Sequence, residues 1–190
     1  MEIRDYRAKR LYDKVWLHGN LVVDKHGEPH VIDPMFFYED GHHLGYDDDT
    51  DLPVFIEKET LGQFIGEHDV NGTKVYEGDI FKIRFGFAGG REPKYTPADY
   101  PKGNVVDIYA WVAFENGSYC LKTKYPASIP SISRFISGVK ERDCIRTTPV
   151  VISEKTFGSY SWRYYEILGG VVGNIYDNPE LLEEHQVYKS

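Results

Sequence analysis

The segment Thr60-Leu61-Gly62-Gln63-Phe64-Ile65-Gly66, followed by Asn71-Gly72 and then Tyr76-Glu77-Gly78-Asp79-Ile80-Phe81, constrains the chain more than any other. Leu61 and Phe64 flank a glycine, the Asn-Gly pair accepts the positive φ angles of a primed hairpin turn, and Gly-Asp opens a further strand. The pattern predicts strand, tight turn, strand. None of these residues demands chemistry, so the pattern specifies a fold more clearly than an activity.

Alternation of apolar and polar residues recurs along the rest of the chain, and helical periodicity is nearly absent. Residues 3–7, 15–23 and 30–32 predict short strands, with Asp24-Lys25-His26-Gly27-Glu28 as the turn between the last two. Pro34 stops this ladder. Residues 39–51 are acidic and carry too little apolar surface to hold themselves folded, which predicts an exposed loop. Strand character resumes at 54–56 and 60–65. Beyond it, Ile80, Phe81, Ile83 and Phe85 predict a strand, 86–103 a long glycine- and proline-rich loop, and 105–114 with 119–123 a hairpin around Glu115-Asn116-Gly117. Residues 128–133 are punctuated by proline. Weaker strand patterns occupy 135–139 and 150–153, and strands 162–168 and 171–176 are separated by Gly169-Gly170. Only the tail predicts a helix: Asn178 as cap, Pro179 at the first helical position, and Glu180 at the positive end of the helix dipole. At about two turns it is too short to stand alone, so Leu181 or Leu182 must dock on the sheet.

Gly62-Gln63-Phe64-Ile65-Gly66 together with Val75-Tyr76-Glu77-Gly78-Asp79-Ile80 resembles the central signature of the YopX family of phage and prophage proteins. Val15-Trp16-Leu17-His18-Gly19-Asn20-Leu21-Val22 is similar to that family's amino-terminal strand. Val172-Gly173-Asn174-Ile175-Tyr176-Asp177-Asn178-Pro179-Glu180-Leu181-Leu182 resembles its closing segment. The resemblance implies a mostly β protein with an SH3-like barrel, self-association, and a phage or prophage origin, and it supplies no catalytic residue. Its signature positions Gly62, Gln63, Phe64, Gly66, Gly72, Tyr76, Glu77, Gly78, Asp79, Gly173, Asn174, Asn178 and Pro179 are therefore read as structural. Residues 34–59 and 86–104 depart from the family's compact pattern and look like insertions. The expected architecture is an amino-terminal β region over 1–65 and a carboxy-terminal SH3-like β-barrel domain over 66–190, with a loop insertion near 86–104 and a short helix at the end.

Composition sets the outer limits. A chain of 190 residues buries a core without needing disulfides, and 15 tyrosines favour strands, where rings pack on a pleated surface. With 22 Lys and Arg against 30 Asp and Glu, the net charge of −8 repels phosphate backbones and anionic membranes, although a local basic patch stays open. Cys120 and Cys144 form neither a CxxC pair nor a metal knuckle and are read as reduced thiols. Met1-Glu2-Ile3-Arg4-Asp5-Tyr6-Arg7 lacks the apolar core of a signal peptide, and no run approaches the roughly 20 apolar residues of a membrane span. The expected location is the cytoplasm, with no membrane contact.

Several residue groups imitate a site. His42 and His43 with Asp47, Asp48, Asp49 and Asp51 are ligand types for a divalent cation, but adjacent histidines point apart in extended chain and the acidic run lacks the spacing of a calcium loop. A solvated loop is preferred, with metal binding the alternative. Glu77 and Asp79 straddle Gly78 like a carboxylate pair, yet Asp at a strand start more commonly accepts backbone amides. Residues 85–91 are glycine-rich without the lysine and hydroxyl residue of a phosphate loop. Cys120 and Cys144 are expected to be packed thiols rather than nucleophiles. Tyr95, Tyr100, Tyr109, Tyr119 and Tyr125, interleaved with Lys94, Lys102, Lys122 and Lys124, match the stacking-plus-charge chemistry of single-stranded nucleic-acid binding. Core packing and subunit contact are their plainer roles.

These readings lead to a non-enzymatic phage or prophage accessory protein that acts by self-association and by contact with a phage or host protein. No cofactor or metal is expected. A single-stranded nucleic-acid-binding module is the alternative, with Tyr95, Tyr100, Lys102, Tyr119, Lys122 and Lys124 as contacts.

Overall fold

Glycine-containing turns organise the strands of the chain in a computed structural model, which describes residues 5–32, 55–90, 105–124, 150–156, 159–183 and 185–188. At Asn116 (φ 51°) and Gly117 (φ 81°) both central residues take positive φ. This is the primed turn whose twist matches the strands it joins, here β7 (Val105–Glu115) and β8 (Ser118–Lys122). Asn71-Gly72 behaves differently from expectation. Gly72 alone is left-handed at φ 83°, and its amide donates to the Asp69 carbonyl at 3.0 Å. The hairpin between β4 (Gly62–His68) and β5 (Lys74–Tyr76) is thus a longer loop closed by a left-handed glycine. The Asp69 side chain, rather than the Asn71 backbone, specifies it, accepting the amides of Asn71 at 2.8 Å and Thr73 at 2.9 Å.

The chain divides into two compact units, Met1–Ile65 and Gly66–Ser190. In the first, β1 (Asp5–Lys9), β2 (Trp16–Val23) and β3 (Pro29–Ile32) form an antiparallel meander, and β4 begins on the free side of β1 through Gly62 and Gln63. Period-two alternation places Tyr6, Ala8 and Leu17 on one face, where they meet Val31, Ile56 and Leu61. A 3-10 turn at Lys58–Thr60 seals this edge. Buried Thr60 accepts the Lys9 amide at 2.8 Å and donates to the Glu57 carbonyl at 2.7 Å.

The second unit is built on long strands. Its sheet runs in the order β11-β7-β6-β10-β9, with β8 on the same edge of β7 as β11. Here β6 is Asp79–Gly90, β9 Val150–Thr156, β10 Ser159–Asn174 and β11 His185–Tyr188, and every pairing is antiparallel. One face carries the core. Ile83 lies between Ile108 and Ile167, Phe85 stacks on Tyr165 with centroids 5.3 Å apart, and Phe81, Ala110, Val112 and Leu121 complete the layer. Burying each large side chain stabilises the unit by roughly 1.5–3 kcal/mol.

Further expectations change. Residues 86–90 are not loop: they extend β6, because each is matched by a residue of β10 between Tyr160 and Tyr164. Glycine's weak strand propensity is overridden by this ladder. Gly169-Gly170 does not separate two strands, since β10 passes through it as a bulge. Ile167 faces Ile83 and Val171 faces Phe81, so four positions on β10 span two on β6, with Gly169 at φ 92°. The tail is a five-residue 3-10 helix, Pro179–Glu183, rather than two α-helical turns. The expected cap is diverted, because the Asn178 side-chain oxygen turns back to accept the Asn174 amide. Among the described residues the strand order runs from β11 to β9 without returning, so no closed barrel forms. The protein is mostly β and antiparallel. The acidic stretch 39–51, residues 91–103, 128–133 and 135–139, and Cys144 lie outside the described residues.

Candidate functional site

A concentration of polar contacts lies where the β4–β5 turn meets the β10 bulge. Asp69, almost fully buried, accepts the Val171 amide at 2.9 Å in addition to those of Asn71 and Thr73. A methyl on Gly170 would overlap the Asp69 carboxylate and the Asn71 side-chain amide, so only glycine admits this approach. Burial pushes the Asp69 carboxyl up, but the three amides outweigh it and hold it below the usual carboxylate range. A carboxylate so engaged stays ionised and serves as a backbone clamp.

The other signature residues do similar work. Gly78, at φ 83°, donates its amide to the Val112 carbonyl and accepts the Ile175 amide, each at 2.9 Å. A Cβ there would press on Tyr176 and Ile175. Buried Asp79 accepts the amide of buried Tyr76 at 2.8 Å, and Glu77 is half-buried between them. A Cβ on Gly173 would collide with Asn178. Asn174 accepts the amides of Tyr176 and Asp177, both at 3.0 Å, just before Pro179 starts the 3-10 helix. In the first unit Gln63 receives the Tyr6 hydroxyl at 3.4 Å and Gly62 pairs with Arg7. Phe64 and Gly66 follow in β4, with Gly66 at φ 88°.

Of the six proposed nucleic-acid contacts, Tyr119, Lys122 and Lys124 are among the described residues. Tyr95, Tyr100 and Lys102 lie outside the described residues, as do Lys94 and Tyr125. Tyr119 and Lys122 are on β8 three positions apart, hence on opposite faces. Tyr119 packs edge-on against Phe114 with centroids 5.1 Å apart. Lys122 donates to Glu115 at 2.6 Å, which raises its pKa, and Lys124 pairs with Glu183. Cys120 donates to the Ala113 carbonyl at 3.4 Å, and burial, with Glu115 beside it, pushes the thiol up. A raised pKa disfavours the nucleophilic thiolate. His42, His43, Asp47, Asp48, Asp49 and Asp51 are outside the described residues, and no group of three metal-ligating side chains occurs among those described.

Two arrangements escape sequence reasoning. Buried Asp107 is gripped by Arg84, through Nε at 2.9 Å and a second nitrogen at 3.2 Å, with Lys82 at 3.6 Å. The signal is the β6–β7 register, which sets Arg84 opposite Asp107. The second is the β1–β2 turn. The Arg10 amide donates to Val15 at 2.8 Å and the Lys14 amide to Arg10 at 3.0 Å, while Leu11 is bonded to the Phe55 carbonyl at 2.8 Å. Lys14 occupies the left-handed region at φ 63°, a position glycine usually fills, at a cost of about 1–2 kcal/mol. Arg10 binds Asp13 through two nitrogens and lies 4.6 Å over the Tyr12 ring, and Lys14 reaches Glu57 at 2.5 Å. Those Arg10 hydrogen bonds hold the Asp13 carboxyl below its ordinary range.

These features define an antiparallel β protein of two units whose distinctive glycines and carboxylates shape backbone. The chain belongs to the YopX protein family, whose sequence profile matches residues 5–183. No curated protein and no solved structure matches it.

Proposed function

We propose that this YopX protein is a phage or prophage accessory protein that acts in the cytoplasm by association, with copies of itself and with a phage or host protein, and not as an enzyme. The observation that carries the reading is the set of large apolar side chains standing in water: Leu11, Tyr12, Val15 and Phe55 in the first unit, Val70, Phe114 and Val172 in the second. Leu11, Tyr12, Val15 and Phe55 are joined by backbone hydrogen bonds of one turn, and apolar surface grouped in this way marks contact sites. The polar groups singled out in the sequence, by contrast, have partners within the chain. Asp69 and Asp79 are engaged by backbone amides, and Lys122 and Lys124 by glutamates. An SH3-like second unit is part of the reading, supported by the bulged bending of β10 against β6. No helix among the described residues is long and apolar enough to cross a membrane.

Light scattering across a concentration series tests the proposal. It predicts a discrete multiple of the 21.9 kDa chain mass. A 21.9 kDa species at every concentration, with no binding partner recovered from induced cells, would overturn it. A salt-dependent anisotropy change of a labelled single-stranded oligonucleotide would instead favour the nucleic-acid alternative.

A further inference from the structure

We infer that the β1–β2 turn and the adjoining Phe55 form a contact surface for a second copy of this chain, a conclusion that rests on the association reading and gives it a location. Leu11, Tyr12, Val15 and Phe55 are 50%, 65%, 50% and 53% exposed. They belong to one backbone unit, since the turn is closed by the Arg10–Val15 and Lys14–Arg10 bonds and tied to Phe55 through Leu11. The surface is held in shape before any partner arrives. Arg10 fixes Tyr12 from one side and Asp13 from the other, Asp13 also accepts the Val15 amide at 3.2 Å, and Glu57 pairs with the ammonium of left-handed Lys14. A fixed tyrosine stacked on arginine loses little freedom on docking, and both residue types are enriched at the centres of interfaces.

Charge selects the occupant. Copies of a chain with net charge −8 repel one another on average, so a self-contact is favoured where charges are locally balanced. This turn is neutral by construction: Arg10 is matched by Asp13, Lys14 by Glu57, and nearby Lys58 by Glu28. Strand-shaped nucleic acid, or a strongly acidic or basic protein, gains no net attraction here. A two-fold related copy meets both signs with both signs, which is the self-complementarity that an isologous contact requires.

The test is sedimentation velocity on the full chain and three variants, Leu11→Asp, Phe55→Asp and the control Val23→Asp, whose site on β2 is 58% exposed but outside the turn. Two-fold symmetry would set the new carboxylates of Leu11→Asp or Phe55→Asp against each other, so each should weaken association roughly a hundredfold or more. Val23→Asp should sediment like wild type. Near-ultraviolet circular dichroism confirms folding, and two independent exposed positions guard against one variant failing to fold. A wild-type multimer unaffected by Leu11→Asp and Phe55→Asp would overturn the location while leaving association intact. Equal dissociation by all three variants would also overturn it. A monomeric wild type would remove both this inference and the reading beneath it.

Discussion

The β4–β5/β10 junction and the β1–β2 turn are both tight loops organised by an aspartate, yet they are finished in opposite ways. At the junction, Asp69 is buried, three amides converge on it, and Gly170 supplies the space. At the turn, Asp13 is held by a half-buried arginine, the left-handed position is filled by Lys14 instead of glycine, and apolar side chains face solvent. The first arrangement minimises strain and exposure. The second retains both, which suits a surface completed by a partner. Letters that look most distinctive are therefore concentrated where the backbone needs them, and the residues proposed for contact with another copy are ordinary ones.

Four substitutions or conditions sharpen that contrast. Replacing Asp69 with Ala strips the acceptor from three amides at once and should lower stability by about 3–4 kcal/mol in urea unfolding. A loss below about 1 kcal/mol would break the distinction between the regions. Gly170→Ala forces a methyl into the Asp69 carboxylate and should cost about 2–3 kcal/mol. Acid should act through the same group. The Asp69 carboxyl titrates below its unfolded value, so its stabilisation is present above that value and disappears as pH falls through the folded one. Unfolding midpoints should thus drop below about pH 4, with a shallower drop in Asp69→Ala. The smallest effect is expected at the turn: Lys14→Gly relieves the left-handed strain and should change stability by no more than about 1 kcal/mol, in the stabilising direction. A large loss there would mean that Lys14 does structural work equal to that of Asp69.

Much of the strand content was legible in the sequence, for particular reasons. Residues 15–23 alternate cleanly and form β2, and Asn116-Gly117 has the local chemistry of its turn. Legibility fails where a distant strand decides. Nothing local in Gly86–Gly90 predicts extended pairing, because β10 supplies it from 70 or more positions away. Asp69 followed by Asn71, Gly72 and Thr73 has the spacing of a side-chain-closed turn, a signal separate from that of the Asn-Gly pair. Its third bond, to Val171, could not be read at all. Asn178 fails for a related reason: its capping oxygen is claimed by the Asn174 amide, an approach open only because residue 173 is glycine. The exposed turn is legible least, since Leu11, Tyr12 and Val15 look like any apolar residues until their exposure is known.

Amide hydrogen exchange across the second unit tests the structural reading of the signature most directly. The amides of Asn71, Thr73 and Val171 are predicted to be protected together in the wild-type protein and to lose protection together in Asp69→Ala, while the central amides of β6 stay slow. Fast exchange of all three in the wild type, or protection unchanged by the substitution, would contradict it.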